Sequence, residues 1–349
     1  MIFTLASILG LWLLFIVLRS MIRIALMNST RRDVLSEVTD QAIRAGAAFR
    51  LRGRRDVRSV HPVLLCILPA FILSLITLYF VGAMFAFALL YWGTRAVTTW
   101  HQAFLASGSA LNTLGFATPT SGAGQWLAVP EGALGLGIIV FLFTFIPSYQ
   151  WAIRCREDRT SWLYVRVGNR PTGPAFLAWC RRSGNVGSMR EVWEAWEDWF
   201  RMLGDTHSIL PILTLAASVQ EGQSWILASA AILDAAALTV VSGPEEAVEA
   251  ANICLRTGTR ALLAIAESLG QALPAFESEG IDPDRTLDTS SQTQQSLANL
   301  HTGASAISDS QLLEFEKLRR SYEPAVKFVA GRTFVEFERG SYGAPHRPR

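Results

Sequence analysis

The chain has 349 residues and a net charge of +2; half of its residues are hydrophobic and only 17% are charged. Soluble domains carry about 25% charged residues, so the composition argues against an ordinary soluble protein and favours a membrane protein. Its four cysteines form no CxxC or Cys/His cluster, which argues against a disulfide framework or a zinc site and predicts reduced thiols; they are Cys66, Cys155, Cys180 and Cys254.

Three uncharged apolar runs are each long enough to cross a bilayer, which takes about 20 helical residues. The first, residues 1–18, has no basic segment before it and no small-residue cleavage site after it, so it predicts an uncleaved transmembrane helix. The second, Val63–Thr94, has 32 residues, and we expect it to tilt, protrude or kink near Pro69. The third is Gly132–Ile153.

The arginines predict how these helices are oriented. Residues 19–60 contain ten arginines and four acidic residues, and short arginine-rich loops stay in the cytoplasm. The N-terminus is then outside, and the third helix brings the chain back to the cytoplasm, in agreement with Arg154, Arg156 and Arg159. A basic segment beside a membrane favours contact with anionic lipid headgroups over nucleic-acid binding.

The external connection between the second and third helices is unusual because residues 96–130 carry no Asp, Glu, Lys or Arg. Its first part, TTWHQAFLASGSALN, has the apolar spacing of a helix that is too short to cross the membrane and return. Its second part, TLGFATPTSGAGQW, is typical of an extended segment. This order predicts a re-entrant loop, because irregular backbone at membrane depth must be buried by protein or line a water-filled cavity.

An outward helix, a short helix, TLGFA and an inward helix together resemble the two-helix pore module of potassium channels and their relatives. The resemblance spans residues 62–154 and aligns Thr113, Leu114, Gly115 and Phe116 with the start of the filter sequence TVGYG. It implies a selectivity filter for a monovalent cation, potassium or another. It also implies a homotetramer, because one such loop supplies a quarter of a filter.

Ala117 departs from the family pattern, which has a second glycine at this position in a backbone conformation that costs an L-residue about 1–2 kcal/mol. The departure leaves potassium selectivity open. In the third helix, Gly135 and Gly137 either form a hinge of the inner helix or allow close helix packing. The loop itself also has a second interpretation, as an external hairpin that caps the helices and conducts nothing.

The remaining residues predict a helical cytosolic domain. SMREVWEAWEDWFRML begins with a capping box, Ser188 with Glu191, and places Trp193, Trp196 and Phe200 on one helix face with Trp199 broadening it, as in a core or an interface. The apolar segment Ser224–Val241 contains Asp234, which is costly at membrane depth, so we expect a buried helix of a bundle rather than a fourth span. Further features are a cap at Ser242 with Glu245, a linker over 277–308 and an amphipathic helix over 308–330.

This half is also similar to the helical cytosolic region of uncharacterised bacterial membrane proteins that carry a pore-loop unit. The similarity lies in DTH at 205–207, SWILASAAILDAAAL, CLRTGTRAL and RSYEPAV, and it implies no established activity. Asp205 and His207, with Asp234 as a third member, are candidates for a catalytic set. No GxSxG motif or phosphate-binding loop accompanies them, which favours structural roles: a hydrogen-bonded His207 at a helix entry capped by Asp205, and an Asp234 paired with solvent or arginine.

The sequence therefore predicts an all-α, multi-pass protein of the cell membrane with three transmembrane helices, a re-entrant pore helix and loop, and a cytosolic helical bundle. The leading hypothesis is a tetrameric pore-loop cation channel without cofactor or metal. The alternative is a non-conducting membrane anchor that binds a partner through its cytosolic helices, and an enzyme is the third. The predicted segments are a transmembrane helix (1–20), a basic cytosolic segment (21–61), the pore module (62–154), the cytosolic domain (155–335) and a flexible tail (336–349).

Overall fold

The computed structural model describes residues 1–26, 33–52, 57–183, 189–271 and 308–333. Within these residues the chain forms helices and no strand, which confirms the all-α prediction. The chain divides into two compact units. The first, called the N-terminal unit, comprises Met1–Arg54 and Cys66–Trp151; the second, the C-terminal unit, comprises Arg55–Leu65 and Ala152–Arg349.

The helices are numbered in chain order over the described residues. The N-terminal unit contains α1 (Ile2–Leu26), α2 (Val34–Leu51), α4 (Ile67–Gly93), α5 (Trp100–Leu111) and most of α6 (Gly122–Val167). The C-terminal unit contains α3 (Val57–Leu65), the end of α6, α7 (Gly173–Ser183), α8 (Met189–His207), α9 (Ile212–Leu215), α10 (Trp225–Ser242), α11 (Glu245–Ser268), α12 (Asp309–Arg320) and α13 (Glu323–Arg332).

Four helical segments in the described residues are long and apolar enough to cross a membrane. Three coincide with the predicted apolar runs, and the most apolar window of each is only 17%, 28% and 22% buried within the protein. The fourth is α10, whose window is 78% buried. The exposed apolar surface of the first three suits lipid contact, whereas α10 is covered by its own unit, as expected for a bundle helix.

The second apolar run is interrupted at Cys66, between α3 and α4, one helical turn before Pro69. A proline inside a helix has no N–H for the carbonyl four residues earlier, and its ring crowds that carbonyl. Here that carbonyl belongs to Leu65, so the interruption follows from the proline. It is slight, because Cys66 keeps helical φ and ψ angles of −79° and −12°.

Helices α1 and α4 pack closely and antiparallel. Gly10 of α1 lies against the backbone of Ala86, and Gly93 of α4 lies against the backbone of Phe3, so a side chain at either glycine would collide with main chain. Small residues at such contacts allow membrane helices to approach closely. Further along the same helices, the Ser20 hydroxyl lies 2.9 Å from the Tyr79 hydroxyl.

Helix α2 is connected to the pair of α1 and α4 by a hydrogen bond at its N-cap residue, Asp33. The Ser20 hydroxyl donates to Asp33 Oδ2 over 2.6 Å, and the same oxygen accepts from the backbone N–H of Ser36, which caps α2. A carboxylate at a helix N-terminus is stabilised by the unpaired N–H groups there. Helix α2, which lies within the predicted basic segment, is therefore anchored to the apolar helices through Asp33.

An aromatic core organises the C-terminal unit. Trp193, Trp196 and Phe200 of α8 are all at most 1% exposed, and Trp199 is 3% exposed, as their spacing predicts. They pack with α7 and α10 in one cluster. Ser188, the predicted partner of Glu191 in a capping box, lies outside the described residues.

Two helix boundaries in this unit differ from the predictions. Helix α11 begins at Glu245 with Pro244 as its N-cap and no side-chain cap, so the predicted cap at Ser242 is wrong; the Ser242 hydroxyl instead donates to the Leu238 carbonyl within α10. The single helix predicted over 308–330 is divided into α12 and α13, because Pro324 favours a new helix start and disfavours continuation. Most of the predicted linker and the whole of the predicted tail lie outside the described residues.

Candidate functional site

The uncharged connection of the N-terminal unit contains the short helix that its spacing predicts. Helix α5 begins with a capping box in which Thr99 Oγ1 accepts from the Gln102 backbone N–H over 3.2 Å while the Gln102 side chain bonds back to the Thr99 backbone. This closes the N-terminal turn of α5 without a charged residue.

Apart from Leu111 at its end, the buried face of α5 is made of small and polar residues. Ala103, Ala106, Ser107 and Ser109 are at most 3% exposed, whereas Trp100 and Leu105 are about 40% exposed. Of the large side chains that gave the sequence its helical spacing, Trp100 and Leu105 therefore lie outside, Phe104 is partly buried and Leu111 is buried at the end of the helix. This arrangement is typical of membrane helices, in which small residues pack inward.

Helix α5 runs antiparallel to the end of α4. Trp100 packs edge-on against Trp92 with ring centroids 5.7 Å apart, and Phe104 packs against Phe85 at 4.8 Å. The next turn of α5 places Ser107 Oγ 2.9 Å from the carbonyl oxygen of Met84. Met84 lies nine residues before the end of α4, so at 1.5 Å per residue α5 returns along α4 by about 13 Å.

After α5 the chain comes back to where it started. The Ser121 hydroxyl donates to the carbonyl oxygen of Ala96 over 3.0 Å, so the two ends of residues 96–121 meet. We call this segment the hairpin. It consists of one short helix and one non-helical return. The last residue of the helix, Leu111, lies against Gly135 of α6.

The predicted filter residues form the non-helical return of the hairpin. The backbone N–H of Leu114 donates to the Ser109 carbonyl over 2.8 Å, and that of Ala117 donates to the Ser109 hydroxyl over 3.0 Å. Leu114 and Phe116 are each 66% exposed, and Gly115 is exposed too. The buried residue Ser109 thus holds the backbone of residues 114–117, although most of these residues are exposed.

Two residues of this return have left-handed backbone conformations. Thr113 has a φ of 55° and Gly115 a φ of 72°, and Thr113 and Arg95 are the only non-glycine residues with positive φ in the described chain. A β-branched residue in this region is strained. The strain expected at Ala117 from the family pattern lies instead at Thr113.

The two glycines predicted as a hinge have different surroundings in α6, which is continuous through both. A Cβ on Gly135 would overlap the carbonyl oxygen of Leu111 and lie 2.8 Å from its carbonyl carbon. A Cβ on Gly137 would meet nothing within 4 Å. Gly135 therefore allows close packing of α6 on the end of α5; the hinge stays a prediction for both.

Sequence reasoning missed the most unusual side chain of this unit, Glu131. It is the only Asp, Glu, Lys or Arg between Arg95 and Arg154, and it is 0% exposed. Its Oε2 accepts from the Tyr91 hydroxyl over 2.8 Å, and its Oε1 lies 2.5 Å from Ser107 Oγ. The signal was present in the sequence, since a lone acidic residue at the start of an apolar run is costly to bury.

In the C-terminal unit, Arg156 is the corresponding buried charge. The sequence grouped it with juxtamembrane arginines, but its side chain is fully buried and pairs with Glu157, the Nη2–Oε1 distance being 2.7 Å. Its guanidinium donates to the carbonyl oxygens of Leu213 and Ala216, each over 2.9 Å. Arg156 therefore holds the loop after α8 against α6.

His207 belongs to the same cluster. Its Nδ1 lies 2.8 Å from Thr206 Oγ1, whose hydrogen is donated to the Met202 carbonyl over 2.7 Å, so Nδ1 carries the proton and Nε2 faces Arg156 Nη1 at 3.4 Å. Burial, and then the charge of Arg156, lower the pKa of His207 well below its usual value. His207 is thus a neutral core residue at the end of α8, not at a helix entry as predicted.

The three candidate catalytic residues have different partners. Asp205 is exposed, His207 contacts Thr206 and Arg156, and Asp234 accepts from the Tyr322 hydroxyl over 2.6 Å while lying 3.4 Å from Arg319 Nε. Burial raises the pKa of the Tyr322 hydroxyl well above its usual value, which keeps it a proton donor to Asp234. The hydrogen bonds of His207 and Asp234 join buried side chains within the core, in line with the structural roles that the sequence favours.

A groove of about 510 Å³ lies between α8 and α11. Arg256 and Arg260 lie one turn apart on α11. They line the groove together with Asp205 of α8 and Ser208 just after it, and Phe200 forms part of its apolar floor. Among the described residues, neither arginine forms an ion pair. The groove therefore combines an apolar floor with two exposed positive charges.

Comparison of the chain with protein-family models, with curated proteins and with solved structures found no match.

Proposed function

We propose that the protein is a pore-loop cation channel in which the hairpin carries the ion-selective segment. The observation that supports this proposal is the geometry of the hairpin: an uncharged helix that runs back along α4 for about 13 Å, followed by an exposed return that ends beside Ala96. Exposed backbone of this kind is tolerated at membrane depth only where it lines a water-filled cavity or meets other protein.

In the proposed channel, Thr113, Leu114, Gly115 and Phe116 present backbone carbonyls to the ion, and Ala117 ends the segment. One hairpin supplies a quarter of such a filter, so the channel is a homotetramer with four exposed returns around one axis. The exposure of Leu114 and Phe116 in a single chain is what a segment completed by other copies requires. The arginine distribution orients the N-terminus outside and the C-terminal unit in the cytoplasm.

Cation flux into liposomes containing the purified protein tests the proposal. Gly115→Ala adds one methyl group where nothing lies within 4 Å, but it places an L-residue at a φ of 72°. Gly122→Ala adds the same methyl group in equally open space at the start of α6, where φ is not positive. We expect Gly115→Ala to reduce or abolish flux, or to change its preference among K⁺, Na⁺ and Rb⁺, and Gly122→Ala to leave it unchanged.

Two results contradict the channel. If both variants conduct cations as well as wild type does, the assignment of residues 113–117 as the filter is wrong. If the protein stays monomeric or dimeric after cross-linking in detergent or lipid, the tetramer is wrong. A complete lack of flux favours the second candidate, a membrane anchor that binds an acidic partner through the C-terminal unit. The groove with Arg256 and Arg260 is the observation that favours it.

A further inference from the structure

A buried cluster of oxygen atoms joins three helices of the N-terminal unit. It consists of the Glu131 carboxyl on α6, the Tyr91 hydroxyl on α4 and the Ser107 hydroxyl on α5, and all three residues are 0% exposed. Ser107 Oγ also lies 2.9 Å from the carbonyl oxygen of Met84 on α4. Tyr91 belongs to a hydrophobic core that also contains Ala103 and Ala106 of α5 and Phe87 and Ala88 of α4.

The hydrogen atoms of this cluster can be counted. A serine hydroxyl has one hydrogen, and a backbone carbonyl can only accept. Ser107 Oγ is within hydrogen-bond distance of two acceptors, the Met84 carbonyl at 2.9 Å and Glu131 Oε1 at 2.5 Å, so its single hydrogen satisfies only one of them. The Tyr91 hydrogen is already used, because its only acceptor is Glu131 Oε2 at 2.8 Å.

A proton on Glu131 Oε1 completes the network. Glu131 then donates to Ser107 Oγ, Ser107 donates to the Met84 carbonyl, and Tyr91 donates to the remaining carboxyl oxygen. With an ionised Glu131, one pair of oxygen atoms, either Ser107 with Met84 or Ser107 with Glu131, lies in contact without a hydrogen between them. Each such pair costs the hydrogen bond that its geometry otherwise provides.

Nothing nearby compensates a negative charge on Glu131. Across the described residues it forms no ion pair with Lys, Arg or His. Of the helices packed around it, α4 contributes only the Tyr91 phenol, and α5 contains only His101, which is exposed in its first turn. An unpaired carboxylate in such surroundings is strongly disfavoured, whereas the neutral acid is not.

We infer that Glu131 is a buried proton-binding site whose proton ties α5, the helix of the hairpin, to both α4 and α6. Loss of the proton to water leaves a carboxylate that takes over the Ser107 hydrogen, and the contact between Ser107 and Met84 is then lost. Occupancy of the site thus decides whether α5 is held to α4 by a side-chain hydrogen bond. The inference goes beyond the proposed function and does not depend on ion conduction.

Infrared difference spectroscopy of the full chain in lipid tests the inference directly. A protonated carboxyl has a C=O stretch that a carboxylate lacks. We expect the wild-type minus Glu131→Gln spectrum at pH 7 to contain this acid band and to lose it at alkaline pH. The matched control is Asp33→Asn, which removes the other carboxyl that contacts a buried serine; there the serine hydrogen points to the carboxylate, so only carboxylate bands should disappear.

A second variant keeps the test decisive if Glu131→Gln does not fold. Tyr91→Phe removes the donor to Oε2, so the acid C=O band should remain and shift to higher frequency. A wild-type spectrum without an acid band at pH 7, or one whose acid band neither variant alters, overturns the inference.

Stability gives an independent measurement. If the folded state holds a proton that the unfolded chain releases, the folding equilibrium constant should fall by up to tenfold for each unit of pH. This fall begins at about pH 4.3, where an unfolded glutamate ionises, and ends at the pH where the folded site ionises. Glu131→Gln, whose amide can donate to Ser107 and accept from Tyr91, should remove that pH dependence. An equal slope in wild type and Glu131→Gln contradicts the proposal.

Discussion

Replacing Gly135 by alanine tests how α6 packs on the hairpin. The added Cβ would overlap the Leu111 carbonyl oxygen and approach its carbonyl carbon to 2.8 Å, where carbon atoms in contact normally lie about 3.5–4.0 Å apart. The obstacle is backbone at the end of α5, so no side-chain rotation relieves it. The matched substitution is Gly137→Ala, on the same helix and with nothing within 4 Å.

The two substitutions should have opposite effects on stability. Alanine in a helix is favoured over glycine by about 1 kcal/mol, which both variants gain. Overpacking costs about 1–3 kcal/mol, and a collision with main chain belongs at the upper end of that range. We therefore expect Gly135→Ala to lower the free energy of unfolding by about 2 kcal/mol and Gly137→Ala to raise it by about 1 kcal/mol.

Thermal unfolding in detergent, followed by circular dichroism, measures the difference. One kcal/mol shifts the Tm of a domain of this size by about 2–4 °C. Gly135→Ala should thus unfold about 6–12 °C below Gly137→Ala. Equal Tm values would contradict the prediction, since they would show that the contact with Leu111 does not limit packing. If both variants then also reduced cation flux to the same extent, a hinge would explain the two glycines better than close packing does.

Three further predictions concern the C-terminal unit. Arg156→Lys should lower the free energy of unfolding by about 3 kcal/mol, because a lysine ammonium cannot replace both hydrogen bonds that the guanidinium donates to backbone carbonyls. Arg154→Lys, at an exposed position, should stay within about 0.5 kcal/mol of wild type in the same assay. The pKa of His207 is lowered in the folded state, so its contribution to stability is complete above pH 6.5 and is lost as pH falls below that value. Between pH 7 and pH 5.5, the free energy of unfolding should therefore fall by about 1.3 kcal/mol more in wild type than in His207→Gln. Gly258→Ala should lower Tm, since its Cβ would lie 2.7–2.9 Å from side-chain carbons of the core, whereas Gly331→Ala, in open space, should not.

Helix positions were largely predictable, because hydropathy and caps are local properties. The three long apolar runs and the aromatic face of α8 required only composition and spacing. Helix ends were harder: Pro244 is the N-cap of α11 where Ser242 was predicted, and Pro324 lies in the first turn of α13 where one continuous helix was predicted. A proline restricts φ and removes an N–H, so it decides the boundary more strongly than a capping side chain.

The side chains that matter at the hairpin were less predictable, for a physical reason. The helix was predicted from the spacing of four large apolar residues, Trp100, Phe104, Leu105 and Leu111, and in a soluble helix such residues point inward. In α5, only Leu111 of these four is buried, and alanine and serine form the rest of the inward face, because close packing between apolar helices depends on small residues. The sequence therefore predicted the helix but not the contacts of Ser107 and Ser109.

Buried charges show the same limit. Arg156 looked like its neighbour Arg154 in the sequence, yet the first is buried and the second is exposed. Their difference depends on the loop after α8, whose carbonyls lie about sixty residues away along the chain. Charge counts predict orientation because they sum over a segment, but they do not tell which arginine reaches a distant acceptor.

The described residues of the N-terminal unit contain two sets of a tyrosine, a serine and a carboxyl group, and the contrast between them shows what makes Glu131 unusual. In the first set, the Ser20 hydrogen goes to Asp33, the Tyr79 hydroxyl can donate to Ser20, and an ionised Asp33 satisfies every contact at the start of α2. In the second, the Met84 carbonyl competes for the serine hydrogen. The Met84 carbonyl thus decides whether the hydrogen-bond network is complete with a neutral or with an ionised carboxyl group. Asp33→Asn and Glu131→Gln both replace a carboxyl by an amide, but only Glu131→Gln should remove an acid C=O band from the infrared spectrum.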